Sequence, residues 1–223
     1  MYAMSSKISV GIVNTGVSNA FNVVEALRSV GGDVKIVNDS GKMERYDRLV
    51  IPGVGSYSPA MLHLDKMNLR SDILDFASSG KPILGICLGM QLLMNEGLEN
   101  GNTIGLGIVG GSVVSISSLL SKNQMKRVPH IGWSKVYCPD SQKMLNGIGE
   151  GPTAKDFYFA HSYTVETNDS YSQIRIGLVD YAGLRLVAAF QKENILGVQF
   201  HPELSGPNGL QFLGDFLSGE YMS

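Results

Sequence analysis

The sequence contains few cysteines and no excess of either charge. Its only two cysteines, Cys87 and Cys138, lie far apart and form no CxxC pair. This excludes a disulfide framework and a structural zinc site of the usual spacing, so a reducing compartment is expected. Lysine and arginine number 18 against 20 aspartates and glutamates, a net charge of −2. Because nucleic-acid binders ordinarily carry a basic excess or a basic stripe, a polyanionic partner is not expected.

Long hydrophobic runs and an N-terminal targeting pattern are also missing. No stretch approaches the roughly 20 apolar residues of a membrane span, and residues 1–6 lack the charged start and apolar core of a signal peptide. Charged residues make up 17% of the chain and hydrophobic residues 43%, which excludes disorder, coiled coil and collagen. We therefore expect a soluble cytoplasmic protein.

Short β-rich runs alternate with helical patterns in the first half of the chain. This alternation is typical of βαβ units around a parallel sheet. Ser18 or Asn19 is the predicted cap of a first helix, which Gly31-Gly32 would end. Its apolar residues at helical spacing are Phe21, Val24, Leu27 and Val30. A second helix is predicted at 69–79, with Ile73, Leu74 and Ala77 facing inward, and strands at 7–14, 33–38, 47–51 and 82–86.

From about Ile104 onward the pattern changes to consecutive strands with little helix between them. They are predicted at 113–117, 128–136, 157–165, 173–178, 186–191 and 195–200, with a tight hairpin turn at Lys192–Asn194. This run indicates a mixed or antiparallel extension of the same sheet. A final helix has an apolar stripe of Leu210, Leu213, Phe216 and Leu217. Since no linker or repeat interrupts the chain, one domain over residues 1–223 is predicted.

The strongest local signal surrounds Cys87. The segment Gly85-Ile86-Cys87-Leu88-Gly89 lies between the last strand of the first half and a helical segment predicted at 90–97. A nucleophile on a sharp strand-to-helix turn needs glycines two residues to either side, because larger side chains would collide with the neighbouring strand and helix. The N-terminus of a helix also favours the reactive thiolate. The alternative is a small, buried and inert cysteine.

A cysteine nucleophile requires a base, and His201 is the histidine with an acid beside it. The tripeptide His201-Pro202-Glu203 follows a predicted strand, so the imidazole would emerge where that strand ends. Proline keeps the preceding residue extended, and Glu203 can then turn back towards His201. A Cys–His–Glu triad would result, in which the carboxylate orients the imidazole and the imidazole moves protons. A strand-ending turn with a solvated glutamate is the alternative.

The segment Pro52-Gly53-Val54-Gly55 ends the strand that precedes the Cys87 strand. Its backbone N–H groups are expected to face the same crevice at the C-terminal edge of the sheet, where they could stabilise an oxyanion. A phosphate-binding loop is disfavoured, because the third glycine of GxGxxG and the lysine of a P-loop are missing. A plain turn stays open as the alternative.

In this order and spacing, PGVG, GICLGMQ, VPHIGW, YFAHSY and GVQFHPE resemble the class I (triad) glutamine amidotransferases. Within that family they are most similar to the glutaminase subunits of imidazole glycerol phosphate synthases. The resemblance implies a flavodoxin-like α/β fold with a central, mostly parallel sheet, an antiparallel extension and helices on both faces. It also implies the triad roles for Cys87, His201 and Glu203.

The resemblance further implies the positions that contact substrate. Gln91 is four residues after Cys87, so both can face one pocket; for Glu99 a solvated loop carboxylate is the alternative. His130, Trp133 and His161 are interpreted as framework or interface residues. The implied glutamine-binding residues are Gly53, Gln91 and Glu99, with the backbone around Ser162 and Tyr163, and the implied oxyanion donors are the amides of Val54 or Gly55 and of Leu88.

Three positions depart from the family pattern. The lysine that usually follows HPE is Leu204, the asparagine that usually follows GW is Ser134, and the N-terminal YGxGN pattern reads NTGVSN at 14–19. In the family these positions lie at the rim that faces the partner. The departures therefore concern the partner, while the triad residues are all present.

Glutamine hydrolysis is the predicted function. The Cys87 thiolate would attack the side-chain amide of glutamine, ammonia would leave, and water would hydrolyse the resulting thioester to glutamate, with no metal or organic cofactor. Because the chain ends soon after Glu203, the ammonia acceptor is expected on a separate synthase subunit. By resemblance this subunit would be a (β/α)8 barrel cyclase of histidine biosynthesis, forming a heterodimer.

Three alternatives stay open from the sequence. A paralogous glutaminase subunit would supply ammonia to a sugar amidotransferase of surface-polysaccharide synthesis. A cysteine hydrolase of the same fold would act on γ-glutamyl or peptide bonds through Cys87 and His201. A binding module without catalysis would leave Cys87 no more reactive than Cys138.

Overall fold

The computed structural model describes residues 7–17, 20–122, 127–138, 148, 154–168 and 173–220. Its α-helices are α1 Phe21–Ser29, α2 Tyr57–Lys66, α3 Leu69–Ser78, α4 Leu88–Leu92, α5 Ile116–Leu119 and α6 Gly206–Ser218. Its strands are β1 Ser9–Val13, β2 Asp33–Val37, β3 Arg48–Ile51, β4 Ile83–Ile86, β5 Met94–Gly97, β6 Thr103–Ile104, β7 Val109–Ser115, β8 His130–Tyr137, β9 Lys155–His161, β10 Tyr163–Thr167, β11 Arg175–Tyr181, β12 Leu184–Lys192 and β13 Ile195–Val198. None of the helices in these ranges is long and apolar enough to cross a membrane.

A nine-stranded sheet has the order β2-β1-β3-β4-β13-β12-β11-β8-β9. The strands from β2 to β13 pair in parallel, and every pairing from β13 to β9 is antiparallel. The predicted α/β sheet with an antiparallel extension is therefore confirmed. Its last strand in sequence, β13, lies beside β4, which places the ends of these two strands next to each other.

Strand alternation builds a core on each face of this sheet. Val10 and Ile12 of β1 pack with apolar residues of α1 and α6, whereas Val13 packs with those of α2 and α3. Neighbouring residues of β4 divide in the same way, with Leu84 on the first side and Ile83 on the second. Because successive side chains of a strand point to opposite faces, both faces are apolar and both carry helices. The C-terminal edge of the parallel strands is left to loops.

A second sheet, in the order β10-β7-β5-β6, corrects the prediction of a single extended sheet. The strand predicted at 113–117 is the end of β7 and belongs to this sheet. The strand predicted at 157–165 is two strands, β9 in the large sheet and β10 in the small one. The chain bends at Ser162 between them, where the Ser162 carbonyl accepts a hydrogen bond of 2.9 Å from the Ile116 N–H.

The helical segment predicted at 90–97 is also corrected. Helix α4 ends at Leu92, and Met94–Gly97 forms β5. The Leu92 carbonyl accepts from the Leu106 N–H at 2.9 Å, so this carbonyl bonds to a distant loop rather than continuing the helix. Helix α2 was missed, although its buried residues Tyr57, Ala60, Met61 and Leu64 have helical spacing.

Two predicted apolar helix positions are exposed. Phe21, at the start of α1, is 64% exposed, and Leu210 of α6 is 38% exposed. Within α3, Ile73 is buried as predicted, while Leu74 and Ala77 are half-buried and Phe76 takes the inward position. Ala20 is the N-cap residue of α1, and the predicted caps Ser18 and Asn19 lie outside the described residues.

Candidate active site

Cys87 occupies the turn between β4 and α4. Its backbone angles are φ 52° and ψ −107°, a region that non-glycine residues rarely adopt. The conformation is held by a 2.7 Å hydrogen bond from the Cys87 N–H to the Val198 carbonyl and by the first helical bond, from the Gln91 N–H to the Cys87 carbonyl at 3.2 Å. A strained backbone that its surroundings hold in place is common at reactive residues. Cys87 as a whole is buried, at 6% exposure.

Two glycines make room for this turn, as the sequence predicted. A Cβ atom on Gly89 would lie 1.7 Å from the Ile51 carbonyl oxygen of β3, and one on Gly85 would lie 2.7 Å from the backbone of Gly89. Neither space can hold a side chain while the backbone stays in place. The start of α4 is therefore pressed directly against the sheet, and Cys87 emerges at the C-terminal edge.

His201 and Glu203 come from the chain that leaves β13, the neighbour of β4. The imidazole Nδ1 lies 2.8 Å from the Glu203 Oε1, and the two side chains are 3% and 8% exposed. His201 has extended backbone angles, φ −100° and ψ 95°, and Pro202 begins the 3-10 turn Pro202–Leu204 that returns Glu203 to the ring. The glutamate is thus a buried partner of the imidazole, and the alternative of a solvated carboxylate is excluded.

The charges around His201 favour its protonated form. Burial by itself lowers the pKa of His201, but the nearby Cys87 thiol and the Glu203 carboxylate, which is hydrogen-bonded to Nδ1, outweigh burial and raise this pKa to about 10. The other ring nitrogen, Nε2, is buried and has no hydrogen-bond partner among the described residues. This nitrogen is therefore able to receive the thiol proton, which would leave a thiolate beside an imidazolium.

The Pro52–Gly55 loop meets the turn at the same sheet edge, because β3 lies next to β4 in the sheet. The Leu88 N–H, one of the predicted oxyanion donors, donates a 3.2 Å hydrogen bond to the Gly53 carbonyl. Val54 is 48% exposed, and Gly55 has a φ of +126°. The loop is thus in a conformation that engages the Leu88 donor instead of leaving it free for a substrate oxygen.

A cavity of about 300 Å³ opens beside Cys87. The structure brings most of the predicted site residues to its wall: Val54, Gly55, Cys87, Leu88, Gln91, Glu99, Ser162 and Tyr163. Gly53, His201 and Glu203 are not among the lining residues. The wall also includes four residues that were not predicted to contact substrate: Pro129, Ile131, Ala160 and His161.

Gln91 and Glu99 are held by hydrogen bonds within the wall. The side-chain Nε2 of Gln91 donates to the Tyr163 carbonyl at 3.2 Å and to the Gln199 Oε1 at 3.0 Å. The Oε2 of Glu99 accepts a 2.7 Å hydrogen bond from the Tyr57 N–H at the start of α2. A carboxylate at a helix N-terminus is stabilised there, so Glu99 is an anchored part of the wall rather than a free loop carboxylate.

His130 and His161 form a chain of hydrogen bonds across the paired strands β8 and β9. The His161 Nδ1 lies 2.7 Å from the Tyr163 carbonyl and must donate to it, which makes Nε2 of the neutral ring an acceptor. His130 Nδ1 then donates to this Nε2 at 3.1 Å, and its own Nε2 accepts from the Ser134 hydroxyl at 2.9 Å. Burial lowers the pKa of His130 to about 4 and that of His161 to about 3. Both rings are therefore neutral at physiological pH.

Sequence reasoning overlooked Gln199, which is fully buried and touches the Cys87 sulfur. The available signal was its spacing, because a residue two positions before His201 on an extended chain lies on the same side as His201. Within the described residues no group of three or more His, Cys, Asp or Glu side chains is arranged to hold a metal ion.

The fold and the site define a class of enzymes that use a cysteine nucleophile. The fold is a doubly wound α/β sheet, the cysteine lies on a strand-to-helix turn, and a paired histidine and glutamate lie at the end of the neighbouring strand. The family model of the class-I glutamine amidotransferases matches residues 11–218. The chain belongs to this family.

Curated relatives resemble the chain over most of its length. It is 36% identical to the imidazole glycerol phosphate synthase subunit HisH of Caldanaerobacter subterraneus, covering 93% of this chain and 96% of the relative. It is also 36% identical to the HisH subunit of Wolinella succinogenes, covering 93% and 98%. Among solved structures, PurLQS from Thermotoga maritima is similar in fold, with a TM-score of 0.72, 20% identity and coverage of 96% and 99%.

Proposed function

We propose that this protein is the glutaminase subunit of a two-subunit synthase of the imidazole glycerol phosphate type. It hydrolyses glutamine to glutamate and ammonia and passes the ammonia to a separate synthase subunit. The observation that carries this proposal is the buried Cys87, His201 and Glu203 cluster beside a cavity lined by Gln91 and Glu99, in a chain with 36% identity to HisH subunits. The cytoplasm, where thiols stay reduced, suits its two cysteine thiols.

In the proposed reaction, His201 takes the thiol proton and the Cys87 sulfur attacks the side-chain carbonyl carbon of glutamine. The imidazolium then gives its proton to the leaving nitrogen, and ammonia departs from the γ-glutamyl thioester. Water, deprotonated by His201, attacks the thioester and releases glutamate and the thiol. Glu203 keeps the imidazole in the tautomer that leaves Nε2 available to the sulfur, through the 2.8 Å bond at Nδ1. No metal or organic cofactor has a role in these steps.

Substrate recognition follows from the charges and donors of the cavity wall. The Glu99 carboxylate suits the α-ammonium group of glutamine, and Gln91 and the backbone around Ser162 and Tyr163 line the same cavity. The oxyanion would be bound by the Leu88 N–H and by the N–H of Val54 or Gly55. Because Leu88 now donates to Gly53, a rotation of the Pro52–Gly55 peptides is required first, and the glycines of this loop permit it.

The proposed enzyme and the nearest alternative function differ in the subunit that receives the ammonia. The partner we propose is a (β/α)8 barrel cyclase, which would cover the cavity mouth as a heterodimer. The alternative partner, a sugar amidotransferase, is favoured by two departures from the family pattern, Leu204 and Ser134. Leu204 is 44% exposed, where a lysine would otherwise offer a charge to the partner.

The test is covalent labelling combined with activity. The glutamine analogue 6-diazo-5-oxo-norleucine should modify Cys87 and leave Cys138 unmodified, as read by mass spectrometry of a digest. Glutamine hydrolysis should then be lost in proportion to the labelling. Short γ-glutamyl peptides serve as the control substrates. Faster turnover of those peptides than of glutamine would replace the proposal with a peptide-bond or γ-glutamyl hydrolase.

A further inference from the structure

Gln199 is a buried polar residue that the steps above do not use. It follows β13, and its side chain is fully buried at 0% exposure. Its Nε2 lies 3.5 Å from the Cys87 Sγ, although the two residues are 112 positions apart in the chain. Its Oε1 lies 3.0 Å from the Nε2 of Gln91. Both ends of the amide are therefore engaged, one of them by the atom proposed to attack the substrate.

The direction of these hydrogen bonds follows from one backbone carbonyl. The Tyr163 carbonyl can only accept, and the Gln91 side chain meets it with Nε2 at 3.2 Å. The same nitrogen meets Gln199, so Gln199 must present its oxygen to Gln91. The reverse orientation would place two donors against each other in a buried site, at the cost of an unmade hydrogen bond. The amide N–H groups of Gln199 are consequently directed at the sulfur.

A hydrogen-bond donor directed at the Cys87 sulfur favours the ionised form of this side chain over the neutral thiol. A hydrogen bond to an ionised acceptor is roughly twice as strong as one between neutral groups, so the Gln199 N–H stabilises the thiolate more than the thiol. Its position also complements that of His201, whose Nε2 is free to hold the proton. The sulfur thus has a fixed donor from one side chain and a base from another.

We propose that Gln199 is a further catalytic residue, whose side-chain N–H binds the Cys87 sulfur, stabilises the thiolate and holds it in place for attack. The inference rests on the proposed function for the use of that thiolate. The contact itself does not depend on which amide is the substrate.

The experiment measures thiolate reactivity without any substrate. Full-length protein is treated with iodoacetamide at pH 7, and the alkylation rates of Cys87 and Cys138 are followed by mass spectrometry. Gln199→Met keeps the length and volume of the side chain but removes the donor. We expect it to slow alkylation of Cys87 about tenfold, the effect of roughly 1.4 kcal/mol, while Cys138 reacts as in the wild type.

Gln191→Met is the matched control. Gln191 is also a buried glutamine of the same sheet, but it lies at the hairpin end of β12 and donates to the Glu193 carbonyl. This variant should leave both alkylation rates unchanged. Gln199→Leu provides a second removal of the donor and should slow Cys87 in the same way. Wild-type alkylation of Cys87 in a folded Gln199 variant would overturn the inference.

Cys138, which is 5% exposed, reports on folding in the same digest. If both Gln199 variants exposed Cys138 to rapid alkylation, the glutamine would be a structural residue and the proposed role would be rejected. Failure of the glutaminase function has a separate signature. In that case 6-diazo-5-oxo-norleucine would not label Cys87, while the effect of Gln199→Met on iodoacetamide alkylation would persist.

Discussion

At the scale of single residues, the site depends on a few side chains held in unfavourable surroundings. Cys87 has a positive φ, and His201 and Glu203 are almost completely buried although they carry titratable groups. Their mutual contacts compensate for this burial. Removing His201 or Glu203 should therefore lower stability as well as reactivity, whereas removing the Cys87 thiol should change reactivity much more than it changes the fold.

Replacing Cys87 by Ala or Ser should abolish glutamine hydrolysis and leave the circular dichroism spectrum unchanged, because the glycines and not the sulfur shape the turn. His201→Ala should be nearly as severe. Glu203→Gln should lower kcat by up to about four orders of magnitude through the wrong imidazole tautomer. A steady-state glutaminase assay checks all three variants. More than a few per cent of wild-type activity in a Cys87 variant would remove Cys87 from the mechanism.

The neutral pair His130 and His161 predicts loss of stability in acid. Burial holds the pKa of these histidines at about 4 and about 3, below the ordinary value of 6.5. Between pH 6.5 and these values the unfolded chain binds protons that the folded protein does not, so stability falls as pH falls. Each histidine contributes up to about 1.4 kcal/mol per pH unit in this window. His201, with a raised pKa, acts in the opposite direction, and its contribution is lost as pH rises from 6.5 to about 10.

Urea unfolding of the wild type and of His161→Gln at several pH values from 7 to 4 checks this prediction. The variant should be less stable at pH 7, because it disrupts the hydrogen bond to Tyr163, but its stability should fall less steeply towards pH 4. Parallel curves for the two proteins would contradict the assignment of a buried, neutral His161.

At the scale of elements, the contact between α4 and β3 determines where Cys87 lies. Gly89→Ala would force a methyl group to within 1.7 Å of the Ile51 carbonyl oxygen. Since backbone atoms cannot yield as a flexible side chain does, we expect a loss of at least about 3 kcal/mol in the free energy of unfolding. Activity should fall with it, because the helix carries Gln91.

Gly214→Ala is the control for this prediction. Gly214 lies within α6, and a Cβ atom there would meet no heavy atom within 4 Å. Replacing a helical glycine in open space should stabilise the protein by about 0.4–1 kcal/mol. Chemical denaturation measures both changes. A Gly89→Ala variant as stable as Gly214→Ala would mean that α4 can move away from the sheet at little cost.

At the scale of the whole molecule, several large apolar side chains are exposed, and two of them, Val54 and Ile131, belong to the cavity wall. Ile131 and Trp133 project from β8 and are 62% and 56% exposed, and Val54 and Leu204 are also exposed. Exposed apolar residues beside a site are typical of a protein–protein interface. We expect the synthase subunit to bind this face and to trigger the rearrangement that frees the Leu88 N–H from Gly53.

The isolated protein should consequently be nearly inactive, and its synthase partner with ligand bound should stimulate it at least tenfold, since one oxyanion donor is worth about 10²–10³ in rate. The assay compares the protein alone, with a barrel cyclase and with a sugar amidotransferase. Full activity of the isolated protein would contradict the idea that the partner frees the Leu88 N–H. Stimulation by the sugar amidotransferase alone would show that this enzyme, and not the barrel cyclase, is the partner.

Trp133→Ala should weaken this stimulation and leave the low activity of the isolated protein as it is, because Trp133 lies outside the cavity wall. With Leu204 in place of a lysine, the association should also depend little on salt. A titration of glutaminase activity with the partner at low and high salt measures both effects. Strong weakening by salt would indicate an interface held by charges.

The sequence by itself determined the features that depend on neighbouring residues. The glycines around Cys87 predicted the turn because they report a local steric requirement, and His201 and Glu203 could be paired because only one residue separates them. The parallel half of the sheet followed from alternating strands and helices. The resemblance added the residues around the pocket, most of which line one cavity in the structure.

Only the tertiary structure decided which distant segments meet. It separated β10 from β9 into a second sheet, ended α4 at Leu92 through a bond from Leu106, and brought Gln199 to Cys87. The facing positions of His130 and His161 likewise depend on the register of β8 against β9. Periodicity reports the local conformation of a segment and which side it buries, whereas strand order and register are set by the packing of the whole chain.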